Sequence, residues 1–214
     1  MTDLYLLRHG KVNGPAALYG HTDIKVQAGH DQQLLDELLK VKQSFTHIIS
    51  SPLQRCNNLA RQFSNLSGLP LTTFDCLKEI SFGDLDGKAF DTVKEQWPVL
   101  EKFWQNPAQH PLPNSESLDD FYARINDAFK HLILNFNDQR LLLICHGGVI
   151  RMLLSIVLEL DYKNPKLFSH LRIENGSISK ISHNNSAQFS QVEGINLPIL
   201  SSLSAEPFGG QNND

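Results

Sequence analysis

Residues 3–14 read "DLYLLRHGKVNG". Four consecutive apolar side chains, Leu4, Tyr5, Leu6 and Leu7, run directly into Arg8, His9 and Gly10. A short run that is apolar on both alternating faces is a strand buried on both sides of a sheet. Here the strand Leu4–Leu7 ends by delivering a guanidinium and an imidazole to its carboxyl end.

Two other apolar runs end in the same chemistry. "THIIS" (46–50) leads through Ser51 to Arg55, and "LLLIC" (141–145), which has no polar residue, leads into His146, Gly147 and Gly148. Helical periodicity fills the intervals. Leu34, Leu35, Leu38, Leu39 and Val41 predict an amphipathic helix ending near Phe45. Ser51 is placed to N-cap a helix that starts at Pro52, carries Leu53, Cys56, Leu59, Phe63 and Leu66, and stops at Gly68. "LPLTTFD" (69–75) reads as a third strand. Ser117 and Asp120 form a capping box for a long helix with Leu118, Phe121, Tyr122, Ile125, Phe129 and Leu132 facing inward. Val149–Leu160 predicts an apolar helix, and "LRIENGSISKIS" (171–182) a hairpin turning at Asn175–Gly176. This alternation predicts an α/β fold: a single-domain three-layer sandwich, a mainly parallel sheet with helices on both faces, spanning residues 1–198. Residues 76–115, richer in Gly and Pro with two short helices around 90–105, form an excursion over the sheet, and 199–214 read as a flexible tail.

The chain has 214 residues, 41% of them hydrophobic and 20% charged, which is ordinary globular composition. A formal net charge of −4 offers no basic footprint for nucleic acid. The three cysteines include no C-x-x-C pair, which points to a reducing compartment. No stretch reaches membrane-spanning length, so a cytoplasmic protein with no membrane partner is expected. Neither a metal nor a cofactor is called for by the residues, and a homodimer is left open.

In open parallel sheets the carboxyl ends of the strands line one crevice. Arg8, His9, Arg55 and His146 therefore converge, and helix starts at Ser51 and Gly148 add backbone N–H groups to the same place. Guanidinium groups that stay charged when desolvated bind a compact dianion, and phosphate fits, so the partner is a small phosphorylated metabolite. The arginines would keep His9 neutral and nucleophilic, with its other nitrogen bonded to a carbonyl close to Gly10. A leaving alkoxide needs a proton. Glu79 in "LKEISFGDLDG" is the first candidate donor, its apolar neighbours Leu77, Ile80 and Phe82 favouring a held proton, with Asp84 and Asp86 behind it. Cys145 points to the face opposite His146. His30, His47, His110, His131, His170 and His183 lack ligand spacing and read as surface or core residues, whereas His21 lies in the loop after the Arg-His-Gly motif. Trp97, Phe103 and Trp104 pack an excursion helix; the sharper alternative is that one of them stacks on an aromatic leaving group.

Taken in order, "LLRHG", "SSPLQR", "EISFGDLDG", "SESL" and "CHGG" resemble the histidine phosphatase superfamily, the phosphoglycerate mutase-like enzymes, over about residues 3–182. The resemblance implies His9 as phosphorylated nucleophile, Arg8, Arg55 and His146 as phosphate-binding residues, and Glu79 as proton donor. "LYGHTD" (18–23), "EISFGDLDG" and "NSESLDDFYARI" (114–125) are most similar to alpha-ribazole phosphatases, which act late in cobalamin assembly. That likeness implies Tyr19, Gly20 and His21 beside the substrate. A broad sugar or metabolite phosphatase, a phosphoglycerate mutase and a non-catalytic phospho-ligand sensor are the competing expectations.

Overall fold

Alternation within the strands divides the interior into two halves. In the computed structural model, which describes residues 1–204, strand β1 (Thr2–Arg8) turns Leu4 and Leu6 to one face of the sheet and Tyr5 and Leu7 to the other. Strand β4 (Arg140–Cys145) does the same with Leu141, Leu143 and Cys145 against Leu142 and Ile144. Burial on both faces is what an all-apolar strand requires. Helices α1 (Ala28–Lys40) and α2 (Gln54–Ser67) cover the Tyr5 face. Helices α4 (Leu118–Asn135) and α5 (Gly147–Val157) cover the Leu4 face. The chain is completed by β2 (His47–Ser50), β3 (Leu71–Thr73), β5 (Ile178–Asn184), β6 (Phe189–Leu197), α3 (Trp97–Gln105), α6 (Lys166–Ser169) and α7 (Ile199–Ser204).

The six strands lie in the order β3-β2-β4-β1-β5-β6, parallel through β3, β2, β4 and β1 and antiparallel at β5 and β6. This is the three-layer α/β sandwich expected. Its register sets the site. Arg8 pairs with Cys145, and Ser50 with Ile144, so β1, β4 and β2 end side by side. Residues 76–115 pack a small core of their own, with Leu85, Val93, Leu100 and Leu112 buried together. No helix among the described residues is long and apolar enough to cross a membrane.

Three local expectations change. Helix α2 begins at Gln54 rather than Pro52, because the chain is still extended at Leu53 and Ser51 Oγ, which accepts from His146 (2.8 Å), reaches only the Leu53 N–H (3.4 Å). Asn175–Gly176 turns the chain into β5 without a preceding strand: the carbonyls of Leu171 and Ile173 accept from Arg151 and Arg8 instead of a neighbouring strand. The hairpin is formed one strand later, by β5 and β6. The expected tail from 199 opens with α7, whose fully buried Ile199 joins the Tyr5-side core; residues 205–214 lie outside the described residues.

Candidate active site

The strand ladder continues past the strand ends into the site. His9 donates its backbone N–H to the Cys145 carbonyl (3.0 Å), and Ser51 donates to Ile144 (3.1 Å). His9 is 6% exposed, and its Nδ1 donates to the Gly10 carbonyl at 2.8 Å. That bond fixes the tautomer and leaves the Nε2 lone pair free. Asn175 holds the same turn, its Nδ2 donating to the carbonyls of His9 (3.0 Å) and Gly10 (3.3 Å). Burial, reinforced by the Arg55 and Arg8 charges, lowers the His9 pKa to about 3, so the ring is neutral at physiological pH.

His146 is fully buried, with its ring 5.2 Å from that of His9. Burial and the nearby Arg55 charge push its pKa well below the ordinary value. Arg55 Nε donates to His146 Nδ1 (3.2 Å), so the ring proton sits on Nε2 and is donated to Ser51 Oγ (2.8 Å). Burial pushes the Cys56 and Cys145 thiols up, so neither beside this pair is a thiolate.

Arg55 is 1% exposed and already engaged. Nη1 donates to the Thr22 carbonyl (2.9 Å), and Nη2 to those of Tyr19 (3.1 Å) and Gly20 (2.6 Å). With Nε given to His146, one of its five N–H groups is left over. Arg8 is freer. Nη1 donates to the Ile173 carbonyl (2.5 Å), while its Nε is buried with no partner.

Glu79 lies across the crevice at the start of α5. Its Oε2 accepts from Gly148 N–H (3.0 Å) and its Oε1 from Ile80 N–H (3.0 Å), a polar seat in place of the apolar one expected. The helix start near Gly148 therefore holds this carboxylate. The start of α2 likewise meets Asp23, which accepts from Gln54 N–H at 2.7 Å.

A cavity of about 550 Å³ is lined by Arg8, His9, Tyr19, Glu79 and Arg151. Arg55 and His146 stand beside His9 behind this lining, where Arg55 holds the Tyr19, Gly20 and Thr22 carbonyls and His146 the Ser51 hydroxyl. Gly20 and His21 also lie outside the lining and act through their backbone N–H groups, which donate to Asp86 at 3.1 and 2.8 Å. Thr22 and Phe82 N–H groups reach the same carboxylate. Burial opposes the charge on Asp86, but these bonds outweigh it and hold its pKa below the usual value, which makes it a latch for the 18–22 loop rather than a proton donor. Asp84 accepts from Asn114 at the surface.

A second cavity, of about 360 Å³, opens beyond Glu79 and shares Leu18, Phe82 and Arg151 with the first. Phe103 and Trp104 form its apolar wall, whereas Trp97 packs on Trp104 and Phe90 and does not reach it. Asn175 and Arg151 complete the site beyond the motif residues. Arg151 falls four residues after Gly147 on α5, so helical spacing from "CHGG" signals it.

A sequence model of one family, described as "Histidine phosphatase superfamily (branch 1)", matches residues 4–195. A protein of Hydrogenobacter thermophilus named putative phosphoserine phosphatase 2 is 30% identical over 190 residues, covering 85% of this chain and 89% of its own. A probable phosphoglycerate mutase GpmB of Serratia proteamaculans is 27% identical over 193 residues, covering 87% of each. Among solved structures, YhfR of Bacillus stearothermophilus aligns with a TM-score of 0.83 at 21% identity, over 92% of this chain and 98% of that one. The alpha-ribazole phosphatase from Shigella flexneri aligns with a TM-score of 0.76 at 24% identity, over 91% and 96%. Both share its fold.

Proposed function

The chain belongs to the histidine phosphatase superfamily and is a phosphatase, and from that premise we propose that it hydrolyses a phosphomonoester through a phosphohistidine at His9. The observation that carries this reading is the fixed His9 tautomer. Its Nδ1–H is bound to Gly10, and its Nε2 is left for the cavity that Arg8 and Glu79 line. Arg8 takes phosphoryl oxygens. The Nε2 lone pair attacks phosphorus, the ester P–O bond breaks, and Glu79, protonated once the anionic ester is bound beside it, gives that proton to the departing alkoxide. A water then attacks the phosphohistidine, Glu79 takes the proton back, the N–P bond breaks and phosphate leaves. Arg55 supplies positive charge beside His9 and holds the Tyr19 and Gly20 carbonyls, and neutral His146 holds the Ser51 hydroxyl.

For the substrate, alpha-ribazole 5′-phosphate is favoured, which would put the reaction in cobalamin biosynthesis. The apolar cavity bounded by Phe103 and Trp104 on the Glu79 side supports a bulky, partly aromatic leaving group. The "LYGHTD" and "NSESLDDFYARI" stretches support the same ester. Acid and alkaline quench of the enzyme turning over a labelled ester tests the mechanism: an alkali-stable, acid-labile adduct is expected, and an adduct that persists in His9→Ala refutes it. Phosphate release from alpha-ribazole phosphate, phosphoserine, phosphoglycerates, sugar phosphates and nucleotides tests the substrate; equal kcat/KM across that panel favours the broad-specificity reading.

A further inference from the structure

Arg151 borders the catalytic cavity, the apolar cavity and a third one of about 700 Å³. The third cavity is continuous with the first through Arg8, Lys11, Arg151 and Asn175, and adds His30 and Arg172. Its one carboxylate, Glu174, is already paired with Arg172. In a chain of net charge −4, this is a local excess of cations, which Glu79 beside Arg8 and Arg151 offsets only in part.

The two arginines at its mouth are crowded. A Cβ built on Gly147 would stand 3.1 Å from Arg151 Nη1 and 3.3 Å from Arg8 Nε, so the two guanidinium groups face each other across one α-carbon. Arg151 spends Nε and Nη2 on the Leu171 carbonyl (3.3 and 2.9 Å), which holds the side chain in place and turns Nη1 toward Arg8. Among the described residues no carboxylate forms an ion pair with Arg8, Arg151 or Lys11. Held like charges and an exposed lysine at the rim are the donor set of a second anion. Arg8 is the cation given to the phosphoryl group at His9, and Lys11 and Arg151 line both that cavity and the basin.

We propose that Arg151 and Lys11, with the far side of Arg8, form a second oxyanion subsite in this basin, adjoining the phosphoryl pocket and resting on its assignment above. Its ligand is a compact carboxylate or phosphate. That group is either a second anionic substituent on the ester or the phosphate released by the previous turnover, held on a path away from the apolar cavity that the alcohol occupies.

Titration calorimetry of the full chain with inorganic phosphate at low ionic strength is expected to give two phosphates per chain. Lys11→Gln and Arg151→Gln are each expected to weaken the second about tenfold or more while the first persists. Lys11 is exposed, so its variant folds; an unchanged melting temperature checks this, and Arg151→Lys is expected to recover part of the affinity. The two sources separate by the kcat/KM ratio of phosphoserine to phosphoethanolamine, which differ by one carboxylate. A ratio of about ten or more that falls toward one in both variants assigns the subsite to the substrate. A ratio near one, with two bound phosphates and mixed product inhibition that the variants relieve, assigns it to released phosphate. One phosphate per chain with a ratio near one, or a second phosphate indifferent to both substitutions, overturns the proposal. Turnover of nitrophenyl phosphate is measured alongside; its absence counts against the phosphohistidine reading and not against the subsite.

Discussion

Replacing Gly148 by alanine should separate proton donation from phosphoryl transfer. An alanine Cβ would fall 2.2 Å from Glu79 Oε1 and 3.0 Å from its Cδ, far inside van der Waals contact. The two nearest atoms end a flexible side chain, so the carboxylate moves, while the buried Phe121 ring, 3.2 Å away, gives by a few tenths of an ångström. The displaced group loses the 3.0 Å bond from Gly148 N–H, a charge-assisted bond worth about 1.5–3 kcal/mol. It also leaves the position from which it reaches the leaving oxygen. General acid catalysis is worth about 10²–10⁴ in rate, so kcat for an alkyl phosphate should fall about a hundredfold or more. Nitrophenolate departs without a proton, so nitrophenyl phosphate should lose less than about fivefold. Steady-state rates with the two esters, together with rapid-quench measurement of the phosphohistidine, give the comparison. A parallel loss for both esters would falsify the assignment of Glu79, and undiminished rates for both would mean that its seat on α5 is immaterial.

Because His9 and His146 are both held neutral, with pKa values below that of the unfolded chain, stability is fully present above about pH 6.5 and is lost as pH falls toward their native values. The slope is about 1.4 kcal/mol per pH unit for each ring. Melting temperature should therefore drop steadily between pH 6.5 and 4.5; a flat profile there contradicts the burial argument. Asn175→Ala removes two bonds to the turn that orients His9, and about tenfold lower kcat with little change in KM is expected; a native rate of phosphohistidine formation would count against it. Asp86→Ala strands four backbone N–H groups and should cost about 3 kcal/mol, roughly 6–12 °C in melting temperature, by calorimetry; a shift under about 2 °C would mean that water replaces the latch.

How much of this could be read from the chain varies by element. β1 and β4 were legible because both faces are buried, which leaves no polar residue to blur the run. The Arg-His-Gly and Cys-His-Gly-Gly turns followed because parallel register brings their ends together. Ser51 misled because the serine before Pro52 carries the local signature of a cap, while its hydroxyl is claimed from far along the chain by His146. Asn175–Gly176 is a true turn signal, with Gly176 at φ +79°, but turn chemistry says nothing about whether a strand precedes it. The missing strand was decided by Arg8 and Arg151, which take its carbonyls. Arg55 was found as a cation, and its commitment to Tyr19, Gly20 and Thr22 was invisible because it depends on where a distant loop is laid.

That loop is held in an unusual way. Along residues 19–22 a buried cation gathers the carbonyls and a carboxylate gathers the N–H groups. Nearly all the atoms that give the segment its path belong to the backbone, which every amino acid supplies alike. The His21 side chain is thereby released from structural duty, and Tyr19 keeps only the bond of its hydroxyl to the Pro15 carbonyl (2.7 Å), so exchange of either leaves the path of residues 19–22 held. Selectivity in such an enzyme can drift while the reaction stays fixed, because the two are written in different parts of the same residues.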